Sequence, residues 1–318
     1  MTGYDAGGFK SITLLICTYR RPRAFSNLIA SVKALQTVPG LDVQIVVVDN
    51  SGQPERESYV PAAVKDVPWP VHYVIENKIG YASARNAALR KGLETGAEVF
   101  AFTDDDMILS PDWMLAHLTS LAALGCDVVN GRIYGMRRRF AHGRVLKTCG
   151  AGNVSFRRHL VDPSGLHLKF DEVYNRLGKE DQAFFRSAVR SGAIIKKSDW
   201  PLIYNYFGDA PMPEAELLNN IATNAAMQRN RVAVLRRTKG FAPAAMAAAH
   251  GLIFGARSVG HYLRSAALFG CGYRDAGRRV RMDCWKEWMK MCARFAGLTG
   301  EIVNRQDVRR GDPPQTLD

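Results

Sequence analysis

Short apolar runs alternate with stretches of helical period over the first two thirds of this chain, and that alternation limits its fold more than any other feature. Ile12-Thr-Leu-Leu-Ile-Cys17 and Val43-Gln-Ile-Val-Val-Val48 read as buried strands, followed by Val71 to Ile75 and Val99 to Phe102. After the first, Pro22 opens a helix with Phe25, Leu28, Ile29, Val32 and Leu35 on one face. Tyr81 to Glu94, between the third and fourth, forms another helix that Gly96 closes. The pattern predicts an α/β fold from Ser11 to about Ser198, a mostly parallel sheet joined by crossover helices.

In such sheets ligands bind beyond the C-terminal ends of the strands. Those ends carry Thr18-Tyr-Arg-Arg21, Asp49-Asn-Ser51, Asn77 and Asp104-Asp-Asp106, so polar residues gather where a ligand would lie. No G-x-G-x-x-G follows the first strand and no Walker P-loop occurs, which excludes the usual signatures of a dinucleotide dehydrogenase or P-loop NTPase.

The triplet has two readings. Asp is a good turn residue, and an acidic cluster after a strand can be a solvated turn. Three adjacent carboxylates also repel one another unless a cation lies between them. The apolar residues Met107, Ile108 and Leu109 follow, and Ser110-Pro-Asp-Trp113 then reads as an N-cap with proline at the first helical position. Pinned between a buried strand and a helix start, the triplet suits Mn2+ or Mg2+, which take one or two carboxylates and complete their shells with water and phosphate oxygens. A nucleoside diphosphate fits that description.

From Glu214 onward the chain reads as helices without strand signals, giving an expected division into 1–213 and 214–318. The net charge of +13 is concentrated there: 228–294 holds 14 Lys/Arg against Asp275, Asp283 and Glu287. Phe241 to Ala256 is apolar but falls short of the roughly 20 residues a membrane crossing needs. Arg274 to Arg294 mixes basic residues with Met282, Trp285, Trp288, Met289 and Met291, as in a helix lying on an anionic lipid surface. A helix packed on the first domain with a solvated basic face is the plainer reading, and a nucleic-acid grip using the same tryptophans is a third.

The first ten residues lack a basic segment leading into an apolar one, so the expectation is a cytoplasmic protein without a secretory signal. The six cysteines are scattered with no C-x-x-C pair, as reduced structural thiols would be.

Taken in order, Ile16-Cys-Thr-Tyr-Arg-Arg-Pro22, Val46-Val-Val-Asp-Asn-Ser51, Asn77-Lys-Ile-Gly80 with Ala84-Arg-Asn86, Phe102-Thr-Asp-Asp-Asp106 and Lys179-Glu-Asp-Gln182 resemble the family 2 glycosyltransferases of GT-A fold. The resemblance covers about residues 11 to 207. It implies a Rossmann-like mixed sheet with a helical C-terminal extension. It also implies a metal-dependent, inverting transfer of a sugar from a nucleoside-diphosphate sugar, UDP being the commonest nucleotide, to a glycan hydroxyl. The subgroup it looks most like extends lipid-linked repeat units of bacterial surface polysaccharides. That implies a polyprenyl-diphosphate-linked acceptor, work at the inner face of the cell membrane, and no nucleic-acid partner.

The resemblance also distributes roles. Asp49 would bind the nucleobase, with Thr18 and Arg20 lining its pocket and Asn77 nearby. Asp104 would contact ribose, Asp106 the metal, and Asp105 would lie between them. Arg85 would belong to the donor site and Asp181 would be the general base. Glu180, Gly152 and Asn153 would lie on the acceptor side, Asn153 donating or accepting a hydrogen bond with a sugar hydroxyl. Simpler readings remain for several: Asp49 as a strand-end turn, Arg85 as an exposed helix arginine, Glu180 and Asp181 as acidic residues favoured in a first helical turn, and Gly150 to Asn153 as a turn before a strand. Where relatives carry a metal-binding His after the catalytic helix, this chain has Asn205, with Asp209 just beyond. The competing functions are a nucleotidyltransferase, which lacks its glycine- and lysine-rich loop here, a basic nucleic-acid-binding module, and a nucleotide-sugar-binding protein without activity.

Overall fold

The strands and helices of the first part of the chain follow in the order β1 (Ser11–Thr18), α1 (Pro22–Lys33), β2 (Asp42–Asp49), α2 (Val60–Val64), β3 (Val71–Ile75), α3 (Tyr81–Glu94), β4 (Val99–Asp104), β5 (Met107–Leu109), α4 (Trp113–Ala123), β6 (Val128–Ile133), β7 (Val145–Leu146), β8 (Asn153–Arg157), α5 (Tyr174–Leu177), α6 (Glu180–Arg190) and β9 (Ile195–Asn205). The structure is a computed structural model and describes residues 5–54, 57–134, 141–205, 240–270 and 274–299, with 225, 228–229, 232–233, 236, 302–303 and 316–317 besides. It divides into two compact units, Met1–Ala210 and Pro211–Asp318.

In the first unit the strands form one nine-stranded sheet in the order β3-β2-β1-β4-β8-β6-β9-β5, with β7 paired to β9. Strands β1 to β4 are mutually parallel, as the crossover pattern requires. At β8 the direction reverses: it runs antiparallel to both β4 and β6. This register brings the site together. Thr18 pairs with Asp49, Cys17 with Asp104, and Thr103 with Asn153, so the C-terminal ends of β1, β2 and β4 lie level with the start of β8.

Both faces of the sheet are covered. The α1 residues Phe25, Leu28, Ile29 and Val32 join Trp113, Met114 and Leu118 of α4 on one face. Ala84, Ala87 and Ala88 of α3 join Phe184, Phe185 and Ala188 of α6 on the other. Each fully buried large side chain is worth about 1.5–3 kcal/mol, so the helical stripes hold the sheet edge in a fixed frame.

Several expectations shift. The helix foreseen from Ser110 starts at Trp113, with Asp112 as its N-cap. Ser110 spends its hydroxyl on Asp112 (2.6 Å), forming a local turn that delays the helix past Pro111. Met107 to Leu109 form an extra strand paired with β9.

In the second unit the apolar run from Phe241 breaks at His250 and Gly251 into α7 (Phe241–Ala249) and α8 (Leu252–Gly270), followed by α9 (Arg274–Ala296). Two short strands, β10 (Ile302–Val303) and β11 (Thr316–Leu317), pair antiparallel where no strand was foreseen. Two-residue strands leave no periodicity to read. No helix among the described residues is long and apolar enough to cross a membrane. Helix α8 is built the reverse of a core helix. Its small residue Ser258 packs inward, donating to the Cys284 carbonyl of α9 at 2.8 Å, while Leu252, Ile253, Val259, Tyr262 and Leu263 are all more than half exposed.

Candidate active site

Asp105 is the hub of the polar network at the ends of β1 and β4. It is buried, and its carboxylate accepts from the Thr18 hydroxyl (2.9 Å), from the Tyr19 backbone N–H (3.4 Å) and from Arg21 Nη1 (3.0 Å). Behind it runs a proton-ordered chain. The Arg21 N–H donates to Tyr59 Oη (3.1 Å), Tyr59 donates to Thr18 Oγ1 (2.6 Å), and Thr18 donates to Asp105. Thr18 is thus a buried link holding the β1 end against β4, not an open pocket wall. Burial pushes the Asp105 carboxyl up to about 6; the neighbouring Arg21 opposes this and Asp106 adds to it.

Arg21 also donates to Asp106 Oδ2 at 2.7 Å, so one guanidinium lies between two carboxylates of the triplet. Sequence reasoning gave it no role, although it directly follows Arg20 in the same motif. Arg20 itself takes a left-handed backbone (φ 51°) and donates Nε and Nη2 to the Ser51 carbonyl, at 3.2 and 3.0 Å, which brings it beside Asp49.

Asp49 is almost fully buried. It accepts from the Ser51 N–H (2.9 Å), the Ser58 hydroxyl (2.5 Å) and the Tyr73 hydroxyl (3.3 Å). Its neighbour Asn50 organises the next loop: it donates to the carbonyls of Glu76 and Lys78 and accepts from the Gly80 N–H. Asn77 is exposed within that pinned loop. Ser58, Tyr59 and Asn50 therefore complete a site whose framing partners come from distant positions in the sequence.

Arg85 joins the acidic triplet to the start of α6. It is buried, contrary to the exposed-arginine alternative, and pairs through Nη2 with Asp104 Oδ1 (3.1 Å) and through Nη1 with Glu180. Phe170 lies under its guanidinium, 5.8 Å from the ring centre. Burial works against the charge of Arg85, but Glu180, Asp104 and Asp181 hold it protonated. Glu180, foreseen on the acceptor side, is likewise buried and committed to this pair. Asp104 has its pKa raised, first by burial and then by the charges of Asp106 and Asp181, with Arg85 opposing.

Asp181 stands in the first turn of α6, entered through Gly178 and Lys179, both with positive φ (66° and 70°). Its Oδ2 accepts from the Ala151 N–H at 3.3 Å and its Oδ1 from the Gln182 N–H at 2.6 Å. The turn before β8 explains its glycines. A Cβ on Gly152 would stand 2.6 Å from Asp104 Oδ2, and one on Gly150 would stand 3.3 Å from Asp181 Oδ2. The turn is threaded between the two carboxylates, and Gly152 contacts Asp104 where an acceptor contact was expected.

Asn153 departs furthest from expectation. Its Nδ2 donates to the carbonyls of Arg132 and Pro201, and its Oδ1 accepts from Trp113 Nε1 (2.8 Å) and His117 Nε2 (2.9 Å). Every polar atom of the amide is used, so Asn153 is scaffold and offers no free group to a sugar. The network also fixes the histidine tautomer: Nδ1 accepts from the Ser155 hydroxyl at 2.8 Å, and burial pushes the His117 pKa down to about 3. Of the two further metal-ligand candidates, Asn205 pairs with Met107 in the β9–β5 ladder, and Asp209 lies outside the described residues.

Five carboxylates, Asp104, Asp105, Asp106, Glu180 and Asp181, thus gather around two guanidinium groups, Arg21 and Arg85. The excess of negative charge suits a bound cation. Among the described residues no three His, Cys, Asp or Glu side chains form a ready cage. One carboxylate with water and phosphate oxygens is enough for Mg2+ or Mn2+.

Residues 13–170 match the family model described as Glycosyl transferase family 2. The succinoglycan biosynthesis protein ExoM of Rhizobium meliloti (strain 1021) is 26% identical over 219 residues, covering 64% of this chain and 67% of that protein. Two solved structures share the fold at low identity. The mannosyltransferase PcManGT from Pyrobaculum calidifontis, solved with GDP-Man and Mn2+, has a TM-score of 0.59 at 17% identity over 92% of this chain and 89% of its own. TarS of S. aureus has a TM-score of 0.50 at 19% identity over 68% of this chain, which spans 39% of TarS. With its motifs carried in order on a GT-A sheet, this chain belongs to glycosyltransferase family 2 and is a glycosyltransferase.

Proposed function

We propose that the protein is a divalent-metal-dependent, inverting transferase. It would move a sugar from a nucleoside-diphosphate sugar to a hydroxyl of a polyprenyl-diphosphate-linked glycan in bacterial exopolysaccharide synthesis. The observation that carries this reading is the meeting of Asp104 and Asp181 on either side of the Gly150–Gly152 turn, with Arg85 tying the first of them to the start of α6. Donor-side and base-side carboxylates then share one cleft.

Asp181 takes the proton of the acceptor hydroxyl as its oxygen attacks the anomeric carbon from the face opposite the nucleoside diphosphate. The new C–O bond forms as the bond to the diphosphate oxygen breaks, and the configuration inverts. Among the described residues this carboxylate accepts from two backbone N–H groups, which leaves lone pairs for that proton. Asp104 accepts from a ribose hydroxyl. Asp49, with Arg20 and Asn77 beside it, takes a base N–H in exchange for the Ser58 hydroxyl. Asp106, released from Arg21, would hold Mn2+ or Mg2+ with Asp105 adding negative charge. The bound ion supplies Lewis-acid neutralisation of the departing diphosphate, so no second carboxylic acid is needed. Arg21 is then free to reach a phosphate oxygen.

UDP-sugars are the first donors to test, as the commonest in the family, and GDP-mannose follows because PcManGT was solved with it. The name of ExoM supports an exopolysaccharide product. Attachment to the cytoplasmic face of an anionic membrane is supported by the outward Leu252, Ile253, Val259, Tyr262 and Leu263 of α8, by the half-exposed Trp288 of α9 and by the basic excess of 228–294.

The test is nucleotide release from a panel of UDP-, GDP- and dTDP-sugars, with Mn2+, with Mg2+ and with chelator, then with a lipid-diphosphate-sugar acceptor. Release from one donor that stops on chelation and accelerates with acceptor is expected. Turnover indifferent to chelation would remove the metal from the mechanism. Sedimentation with anionic liposomes at physiological salt tests the membrane; binding to single-stranded DNA instead would refute it.

A further inference from the structure

The pair Tyr134 and Tyr204 has no part in the chemistry above. Tyr134 directly follows β6 and is 45% exposed, and its ring lies 5.3 Å from that of Tyr204 in β9, tilted by 42°. Rings so inclined do not cover each other, so ring surface stays open to a ligand.

Strand alternation gives the face. Ile133 and Ile203 pack into the core beneath α1 and α4. Tyr134 and Tyr204, one residue on, therefore point to the other face, the one that carries α6 and Asp181. Pairing gives the position. Tyr204 stands opposite Ile108, two residues after Asp106. On β6, Gly131 packs against Asn153, beside the Gly150–Gly152 turn, and Tyr134 lies about 10 Å farther along, one residue past the end of the strand. The Tyr134 N–H is held by the Ile203 carbonyl at 2.8 Å, so the ring is mounted on the sheet rather than on a loose loop.

We infer that Tyr134 and Tyr204 form a stacking platform for a pyranose ring of the acceptor glycan, on a sugar behind the one that bears the attacked hydroxyl. The inference rests on the reading of the cleft as a glycosyltransferase site. A pyranose presents a face of C–H groups that pairs with an aromatic ring, and its equatorial hydroxyls stay in water or reach the phenol groups at the rim. Such a platform reads sugar shape without charge, which suits a neutral glycan entering beside a strongly acidic centre. It also sets acceptor length, because a monosaccharide engaged at Asp181 would not extend to it.

The experiment measures glycan binding directly, so it does not depend on turnover. Full-length protein with UDP and Mn2+ is titrated with neutral gluco- and galacto-tetrasaccharides and the matching monosaccharides, and binding is followed by saturation-transfer NMR. Tetrasaccharide binding, with ring C–H protons saturated from aromatic protons, is expected. Tyr134→Leu and Tyr204→Leu should each weaken it about five- to tenfold. Tyr134→Phe and Tyr204→Phe should restore it to within about twofold, and UDP affinity should stay unchanged throughout. Wild-type affinity in the double leucine variant, or no tetrasaccharide binding to the wild type, would overturn the platform. Failure of every donor in the nucleotide-release panel would instead strike the proposed activity, so the two ideas fail separately.

Discussion

Substituting Gly152 by alanine tests the geometry of the cleft with one methyl group. The added carbon would sit 2.6 Å from Asp104 Oδ2 and 3.2 Å from Cγ, whereas ordinary contact begins at 3.4 Å. Asp104 must therefore retreat by about 0.8 Å. It is tethered by a 3.1 Å pair to Arg85, which is itself locked to Glu180, so the carboxylate cannot move without straining that chain. A displacement near 1 Å at a reacting centre costs on the order of 100-fold. The expected result is a fall of about 10- to 100-fold in nucleotide affinity and in kcat/KM, with a melting temperature close to wild type because the added methyl meets the partly exposed Asp104 carboxylate and leaves the buried Ala151 side chain in place. Gly150→Ala is the internal control. Its methyl would meet Asp181 Oδ2 at 3.3 Å, a shortfall the carboxylate absorbs with a small shift, so turnover drops only a few-fold and nucleotide affinity is unchanged. Calorimetric titration of both variants with the preferred nucleoside diphosphate and Mn2+ separates the two effects. Nucleotide affinity and turnover of Gly152→Ala both within twofold of wild type would refute the proposed closeness of turn and carboxylate.

Asp181→Asn should lower transfer by about 10²- to 10⁴-fold, the range of a lost general base, and leave nucleotide affinity within threefold; lost nucleotide binding would show that the residue has another task. Asn153→Ala strands the Trp113 and His117 N–H groups and two carbonyls, at about 1–3 kcal/mol each. Chemical denaturation should show a large loss of stability, whereas a stable variant with only a raised acceptor KM would restore Asn153 to substrate contact. His117 has a folded pKa of about 3 against an ordinary 6.5. The unfolded chain therefore binds the extra proton between those values, and the stability this residue contributes is complete above pH 6.5 and is lost progressively as pH falls toward 3. His117→Gln should flatten that part of the stability-against-pH curve, and an unchanged slope would show that other groups govern acid unfolding.

Much of the frame was readable from the residues. Pro22 and the spacing of Phe25, Leu28, Ile29 and Val32 gave α1 its start and its buried face, because proline geometry and helical period are local properties. Glu180 and Asp181 were likewise correctly set in the first turn of α6. What escaped depends on pairing across the sheet. That Asn153 is consumed by Trp113, His117, Arg132 and Pro201 follows from β8 lying between β4 and β6, and nothing around position 153 encodes it. Arg21 looked like a neighbour of Arg20, yet the left-handed turn at Arg20 sends the two side chains to different partners, Ser51 and the triplet. The solvent-turned apolar stripe of α8 has an ordinary amphipathic sequence; only its packing on α9 shows which face was left outside.

The reversal of direction at β8 has an evolutionary consequence. Everything proposed to grip the nucleotide hangs from the four parallel strands, and the glycine turn, Tyr134 and Tyr204 hang from the strands beyond the reversal. A seam of backbone hydrogen bonds between β4 and β8 joins them, and its strength does not depend on side-chain identity. Natural variation can then retune one half, trading one glycan for another, while the other half keeps its nucleotide. Chimaeras of relatives cut in the loop before β6 offer a route to transferases with one protein's donor and another's acceptor.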